Sequence, residues 1–297
     1  FTRADSQATG RDILLWLNLA AEGVPVPAMT GTNIAKQVST AMIAAKATGG
    51  WGVIARTGDT RGAVTPDWSH DGTTIAYTST DSTKDGHIGD NANNVDIYTV
   101  PYNGGLGGPA TPVAGASEPG VAEYYPDFSA DDRYIAFNRV QNGTGRIYYK
   151  AEGEIYVAPA GGGTPIRLAA NDPPACTMET SPGVTNSWPK WSPTVRVGPE
   201  GSASAGSKYY FLLFSSTRQS PRRLDGNVPA SQLYLATMVE RPDGSVQTYP
   251  AMYLWNQGFL ITNPDPNNPT VVPIQTSNLT PAFDEFLIPP RPPVIVR

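Results

Sequence analysis

The chain has one cysteine, Cys176, and two histidines, His70 and His87. A single thiol excludes an internal disulfide framework and a zinc cluster. Cys176 is expected to be a free or buried thiol, and in an exported protein it also admits a disulfide to a partner chain. Two histidines leave a hydrolytic triad poorly supplied, and no G-x-S-x-G elbow occurs. A metal-dependent polysaccharide lyase, expected to use several histidines, is disfavoured for the same reason. Long apolar runs are missing too. The most apolar short stretch, DILLWLNLAA from Asp12 to Ala21, is about half of what crosses a bilayer. Nor is there an excess of basic charge. Against 26 acidic residues stand 21 basic ones, for a net charge of −5, and apart from Arg222 and Arg223 they are scattered. Neither membrane insertion nor a nucleic-acid-binding face is expected.

What is plentiful is glycine (30) and proline (29), well above the usual combined share of roughly 12 per cent. That composition favours many turns over long helices. With 297 residues the chain suffices for one large all-β domain or two ordinary domains. It begins at Phe1 with nothing resembling a signal peptide, so a mature or cleaved product is expected.

The stretch TPDWSHDGTTIAYTST at 65–80 recurs sixty residues later as YPDFSADDRYIAFNRV at 125–140. Each copy opens with Pro-x-aromatic-Ser and an Asp-containing turn, then alternates. Ile75 and Tyr77, like Ile135 and Phe137, point one way, and Ala76 and Ala136 the other, so two antiparallel strands joined by a tight turn are predicted. A third strand follows in each copy, VDIYTVPYNGG at 95–105 and GEIYVAPAGGG at 153–163, and a short fourth, ATPVAG at 110–115 and TPIRLAA at 164–170. Four strands per tandem unit is the sequence form of a β-propeller blade.

The predicted organisation is a single all-β domain of four-stranded antiparallel blades, either about five blades or part of a larger, six- to eight-bladed ring. Residues 1–30 form a partial blade, 31–64 a degenerate blade or helical insertion, 65–116 a blade, 124–170 a blade, 188–256 a blade with insertions, and 280–290 a closing strand or the start of a shared blade. Two insertions, TVRVGPEGSASAG and QSPRRLDGNVPA, lengthen the first and second hairpins of the third unit. FTR at the start aligns with FNR at 137–139, and RDILLWLNL with VDIYTVPYN, so the chain enters a blade midway. TPAFDEF from Thr280 restores the opening phrase. Either it closes the ring, or a missing N-terminal portion or second chain completes it.

The phrases PDWSHDG, IAYTS and DIYTVPYNGG resemble the TolB type of WD40-like propeller repeat, whose usual form is Pro-x-Trp-Ser-Pro-Asp-Gly, an Ile-Ala-Phe strand, then Asp-Ile-Tyr-Val. The resemblance is specific over 65–170, partial before residue 60, and weaker in the third unit, where WSPTVRVG lacks the Asp-Gly turn. The ending of the chain is similar to large exported propeller proteins of soil bacteria such as myxobacteria. The resemblance implies a periplasmic or extracellular location and, most often in such proteins, a binding platform; some related propellers are lyases or gate serine peptidases.

Trp68, Phe128, Trp191 and Phe283 recur once per unit, which suits packing between blades better than sugar stacking. Ser69, Ser129 and Ser192 read as turn caps rather than nucleophiles. The loop DSTKDGHIGDNANNVD offers Asp81, Asp85, Asp90 and Asp96, with Asn91, Asn93 and Asn94, as oxygen donors for a calcium-like ion, although the spacing departs from the regular EF-hand pattern. Glu123, Asp131, Glu154, Glu179 and Asp284 are acids that could meet across a propeller face as a glycoside hydrolase would need, and nothing in their spacing selects a pair. The polar loops 141–153 and 215–230 suit recognition. The expected function is a non-catalytic binding or scaffold module for a protein or glycan. A propeller enzyme using acids at the channel, and one fragment of a cleaved propeller completed by a second chain, stay open. No catalytic residue is assigned.

Overall fold

The computed structural model describes residues 2–4, 11–18, 49–81, 83–84, 87–88, 94–141, 150–218, 231–254, 259–262, 271–274 and 281. They form an all-β chain of successive antiparallel sheets. An opening sheet consists of β1 (Thr2–Ala4), β2 (Asp12–Leu17) and β3 (Trp51–Val53). β4 (Ala55–Thr57) leads into the first full unit, made of β5 (Gly62–Trp68), β6 (Thr74–Thr80), β9 (Asp96–Pro101) and β11 (Thr111–Pro112). Between these lie the small hairpin β7 (Thr83–Lys84) and β8 (His87–Ile88), and β10 (Gly107–Pro109), which runs parallel to β4 and ties the linker to this unit. The second unit is β12 (Val121–Phe128), β13 (Tyr134–Gln141), β14 (Glu154–Pro159) and β15 (Ile166–Arg167). The third is β16 (Ser187–Trp191), β17 (Arg196–Val197), β18 (Lys208–Ser216), β19 (Gln232–Glu240), β20 (Val246–Thr248) and β21 (Met252–Tyr253). A separate hairpin, β22 (Phe259–Thr262) with β23 (Val271–Ile274), follows.

The predicted strand pairs of both copies form as antiparallel hairpins in the same register. Ser79 lies opposite Asp96, and Arg139 opposite Glu154. In the opening sheet Ala4 takes that place opposite Asp12. The aligned FTR is therefore one residue out of step: it is Thr2-Arg3-Ala4, not Phe1-Thr2-Arg3, that matches Phe137-Asn138-Arg139. Trp51–Val53 pairs with β2 as the last strand of this same sheet, so it does not belong to a separate degenerate blade. The helical reading of the Ala-rich stretch before it falls outside the described residues. In the third unit Arg196 faces Tyr209, which places the first insertion on the first hairpin as expected; the second insertion, at 219–230, is not among the described residues. Of 280–290, Pro281 alone is described, and it is buried.

In the first and second units both faces of the sheet are buried, and the alternation in IAY and IAF explains how. Ile75 and Tyr77 pack back against Leu14 and Ile54 of the preceding strands, while Ala76 packs forward against Phe128 of the next unit. One unit on, Ile135 and Phe137 face back toward Ala76 and Ile97, and Ala136 faces forward to Trp191 and Tyr210. The alanine leaves room for the aromatic of the following unit. Bulky side chains on one face and a methyl on the other let neighbouring sheets interdigitate without a void.

At the junction of the first and second units Gly115 has φ 85°, and a Cβ there would lie 2.0 Å from the Gly163 carbonyl oxygen. Gly120, at φ 79°, has open space around it. Gly120→Ala should therefore cost about 1 kcal/mol, from backbone conformation alone. Gly115→Ala should cost roughly 2–4 kcal/mol, because the two units must also move apart. Urea unfolding of the two variants side by side measures the difference.

Candidate functional site

Each first strand is interrupted at an X-Pro step: the register shifts between Val64 and Asp67, between Tyr124 and Asp127, and between Ser187 and Lys190. The residues before the prolines, Thr65, Tyr125 and Trp188, sit at φ 48°, 58° and 59°. Proline has no N–H for the ladder, and the extra bulge residue turns neighbouring N–H groups out of the sheet. Those groups reach the preceding unit. The Tyr125 N–H donates to Thr78 Oγ1 (3.3 Å) and the Trp188 N–H to Asn138 Oδ1 (2.8 Å). The Phe128 N–H donates to Asp67 Oδ2 (2.7 Å) and the Trp191 N–H to Asp127 Oδ2 (2.6 Å). In the third unit Lys190 stands where the others have Asp67 and Asp127, and its ammonium pairs with Asp127 Oδ1.

Asp67, Asp127 and Lys190 thus form a row across three first strands. Burial raises the pKa of Asp67 and Asp127, with the Lys190 charge opposing it. Burial alone would lower the pKa of Lys190, but the two carboxylates outweigh it and the net direction is upward. A further inter-unit contact lies at the turns. Asp132, left-handed at φ 55° where the first copy has Gly72, accepts from the His70 N–H (2.7 Å) and the Asp71 N–H (2.9 Å).

A second repeated arrangement caps each sheet. Tyr77 and Tyr98, Phe137 and Tyr156, and Phe214 and Tyr234 lie opposite one another on adjacent strands. A guanidinium covers each pair: Arg56 and Arg61 about the first (5.1 and 5.0 Å from the ring centres), Arg139 over the second (5.6 and 4.6 Å), Arg218 over the third (5.2 and 4.8 Å). Arg139 also donates to Gly115 O and Glu123 Oε1, each at 2.8 Å. Glu123 is fully buried, and burial pushes its carboxyl up to about 7 despite the Arg139 charge. Sequence reasoning did not single out these arginines. The signal is visible in hindsight, an arginine two or four residues past the strand-two aromatic in FNR and FSSTR.

The expected turn caps are in place: Ser69 Oγ donates to Asp71 Oδ1 (2.6 Å), and Ser129 Oγ to Asp131 Oδ1 (3.0 Å). Phe128 and Trp191 are buried between units, while Trp68 is 39% exposed with its ring edge-on to Tyr102 at 4.7 Å. Of the calcium-like set, Asp85 and Asp90 with Asn91 and Asn93 lie outside the described residues. Asp96 is paired with Arg61 Nη1 at 2.6 Å, and Asp81 accepts from Asn94 Nδ2 at 3.2 Å. Among the described residues no three His, Cys, Asp or Glu side chains gather in a metal-holding group. Asp131 is held by Lys208 and Tyr210, Glu154 by Arg167 and Ser181, Glu179 is half-buried, and Asp284 is outside the described residues. His70 meets Asp132 through Nδ1 at 3.1 Å, and Cys176 is exposed and free. Most of the two polar loops, 142–149 and 219–230, is likewise outside the described residues.

No family model matches the chain, and no curated protein matches it. Among solved structures it is similar to a TolB protein from Agrobacterium tumefaciens, with 18% identity and a TM-score of 0.31, over 66% of this chain and 52% of that one. The match spans about half the length of that protein. No helix among the described residues is long and apolar enough to cross a membrane.

Asp127→Ala removes the acceptor of the Trp191 N–H and the partner of Lys190, and should cost about 1–3 kcal/mol in equilibrium unfolding. Glu123 sets a pH dependence. A carboxyl raised from its ordinary 4.5 to about 7 keeps a proton in the folded state that the unfolded chain has released. Its contribution therefore declines as pH rises from about 4.5 to 7. Below that window Asp59, Asp131 and Asp172, whose pKa values are lowered, lose their own contributions as they protonate. Stability should peak on the acid side of neutrality. Glu123→Gln should flatten the slope between about pH 5 and 7 when Tm is measured across that range.

Proposed function

We propose that this chain is part of a β-propeller and serves as a non-catalytic recognition or scaffold module, for a protein or glycan, in an exported bacterial protein. The sheets act as blades, because they follow in sequence order with each first strand laid on the sheet before it. The observation that carries the non-catalytic reading is how the buried and half-buried acids are occupied. Asp67 and Asp127 hold backbone N–H groups of the next unit, Glu123 holds Arg139, Asp131 holds Lys208 and Tyr210, and Glu154 holds Arg167. Carboxylates engaged in this way are positioned for cohesion, whereas a glycosidase pair must face an open cleft with one acid protonated. The exposed Trp68 with Tyr102 inclined against it at 61°, in a unit whose two successors bury the same aromatic, supplies an apolar face of the kind that sugars and peptide side chains stack against.

The test is binding and turnover on the same samples. Wild type and Trp68→Ala are applied to a glycan array and a random peptide library, and bound ligands are then checked for cleavage. Binding without turnover, weakened at least tenfold by Trp68→Ala at unchanged Tm, is the expected result. Cleavage of a bound glycan or peptide that Asp127→Asn or Glu123→Gln abolishes in a folded variant would sink the reading.

A further inference from the structure

The second and third units place the same parts in the same positions, with one exchange. Glu123 and Asn186 are equivalent: the Glu123 N–H donates to Val95 O (2.8 Å) and the Asn186 N–H to Gly153 O (3.1 Å), in each case to the residue just before the preceding unit's third strand. Arg139 and Arg218 each lie over their unit's aromatic pair and donate to carbonyls of the linker that enters the unit. Arg139 Nη2 reaches Gly115 O, and Arg218 Nη2 reaches Ala170 O (2.8 Å) and Asn171 O (3.0 Å). In the second unit the same Nη2 also finds the Glu123 carboxylate. In the third it finds the neutral Asn186 Oδ1 at 2.6 Å.

The exchange removes a charge. Arg218 is 2% exposed, and no carboxylate of the described residues comes within ion-pair distance of it. Burial pulls its pKa down to about 10, against attraction from Tyr234, Glu179 and Asp172; it stays charged at neutral pH. Asp172 is itself engaged by both Nη atoms of Arg167, at 2.9 and 2.7 Å. Ser216 Oγ takes Nε (3.0 Å), but Nη1 has no acceptor among the described residues. At the same end of the β18–β19 hairpin, the buried Ser231 hydroxyl is also without a partner among the described residues. A buried cation whose hydrogen bonds all go to neutral groups is costly, and a bound anion relieves that cost more than any further carbonyl can.

We propose that Arg218 is the centre of a small-oxyanion site in the third unit, where a carboxylate or phosphate takes the place that the Glu123 carboxyl takes beside Arg139 in the second. With Nε and Nη2 already engaged, Nη1 is the donor left for the anion, and a charge-assisted bond from it suits one oxygen of either a carboxylate or a phosphate. The site stands independently of what the module as a whole recognises.

The experiment is thermal unfolding of the full chain while inorganic phosphate or acetate replaces chloride at constant ionic strength. Wild type should gain a saturable rise of about 2–4 °C in Tm with the preferred anion. A response to phosphate but not acetate assigns a tetrahedral anion, and the reverse a carboxylate. Asn186→Glu installs the second unit's counter-ion without touching the arginine. It also removes the Asn186 Nδ2 donors to Asn171 O (3.0 Å) and Ser181 Oγ (3.3 Å), so the readout is the anion response and not the Tm in chloride: that response should be abolished, which separates site binding from a general salt effect. Asp225, in the segment 219–230, is the internal rival. The proposal is overturned if wild type responds to neither anion while Asp225→Asn responds, if no variant responds, or if Asn186→Glu keeps the full response.

Discussion

The structure depends on a misfit in the first strand of each of the three described units. A proline sits where a ladder N–H should be, and the residue before it is forced to a left-handed φ. That costs local strain and interrupts the ladder. The freed N–H groups of Tyr125, Phe128, Trp188 and Trp191 are then aimed at the preceding sheet, where Thr78, Asp67, Asn138 and Asp127 accept them. A sheet with regular edges could stack on its neighbour only through side chains. Here backbone is bonded to side chain across the gap, and this fixes the distance and angle at which the apolar faces meet. The Ala76–Phe128 and Ala136–Trp191 fits follow from that spacing.

Much of the architecture could be read from the chain because its signals are local and repeated. Alternation in IAYT and IAFN gives strands, the Ser-Asp turns give hairpins, and a sixty-residue recurrence gives the units. The alignment at the amino terminus slipped by one because a three-residue strand with a single large side chain fixes no register by pattern alone. The Ala4–Asp12 pairing becomes visible only in the sheet. Trp51–Val53 was harder still, since it closes a sheet whose previous strand ends more than thirty residues earlier.

The site was less legible. Asp67 and Asp127 are ordinary members of a turn-like phrase in the sequence, and nothing there says that one reaches the N–H of residue 128 and the other that of residue 191. Glu123 and Arg139 are 16 positions apart, on neighbouring strands with no common motif. What sequence spacing cannot carry is which unit a side chain serves. In this protein the polar side chains of greatest consequence belong to one unit by covalent chemistry and to the next by hydrogen bonding.

The latches also have a sense. At the first strands the earlier unit contributes acceptors and the later one donors, whereas at the turns Asp132 of the later unit accepts from His70 and Asp71 of the earlier one. Lys190 breaks the sequence. It offers three donors and no acceptor at the position of Asp67 and Asp127, and it turns back to Asp127. A following unit built on the same plan would meet N–H with ammonium, two groups that cannot bond. The third unit thus presents a donor where the two before it present a carboxylate, while Ser215 stands where they carry Thr78 and Asn138: one residue changes half of the latch that the unit can offer a neighbour.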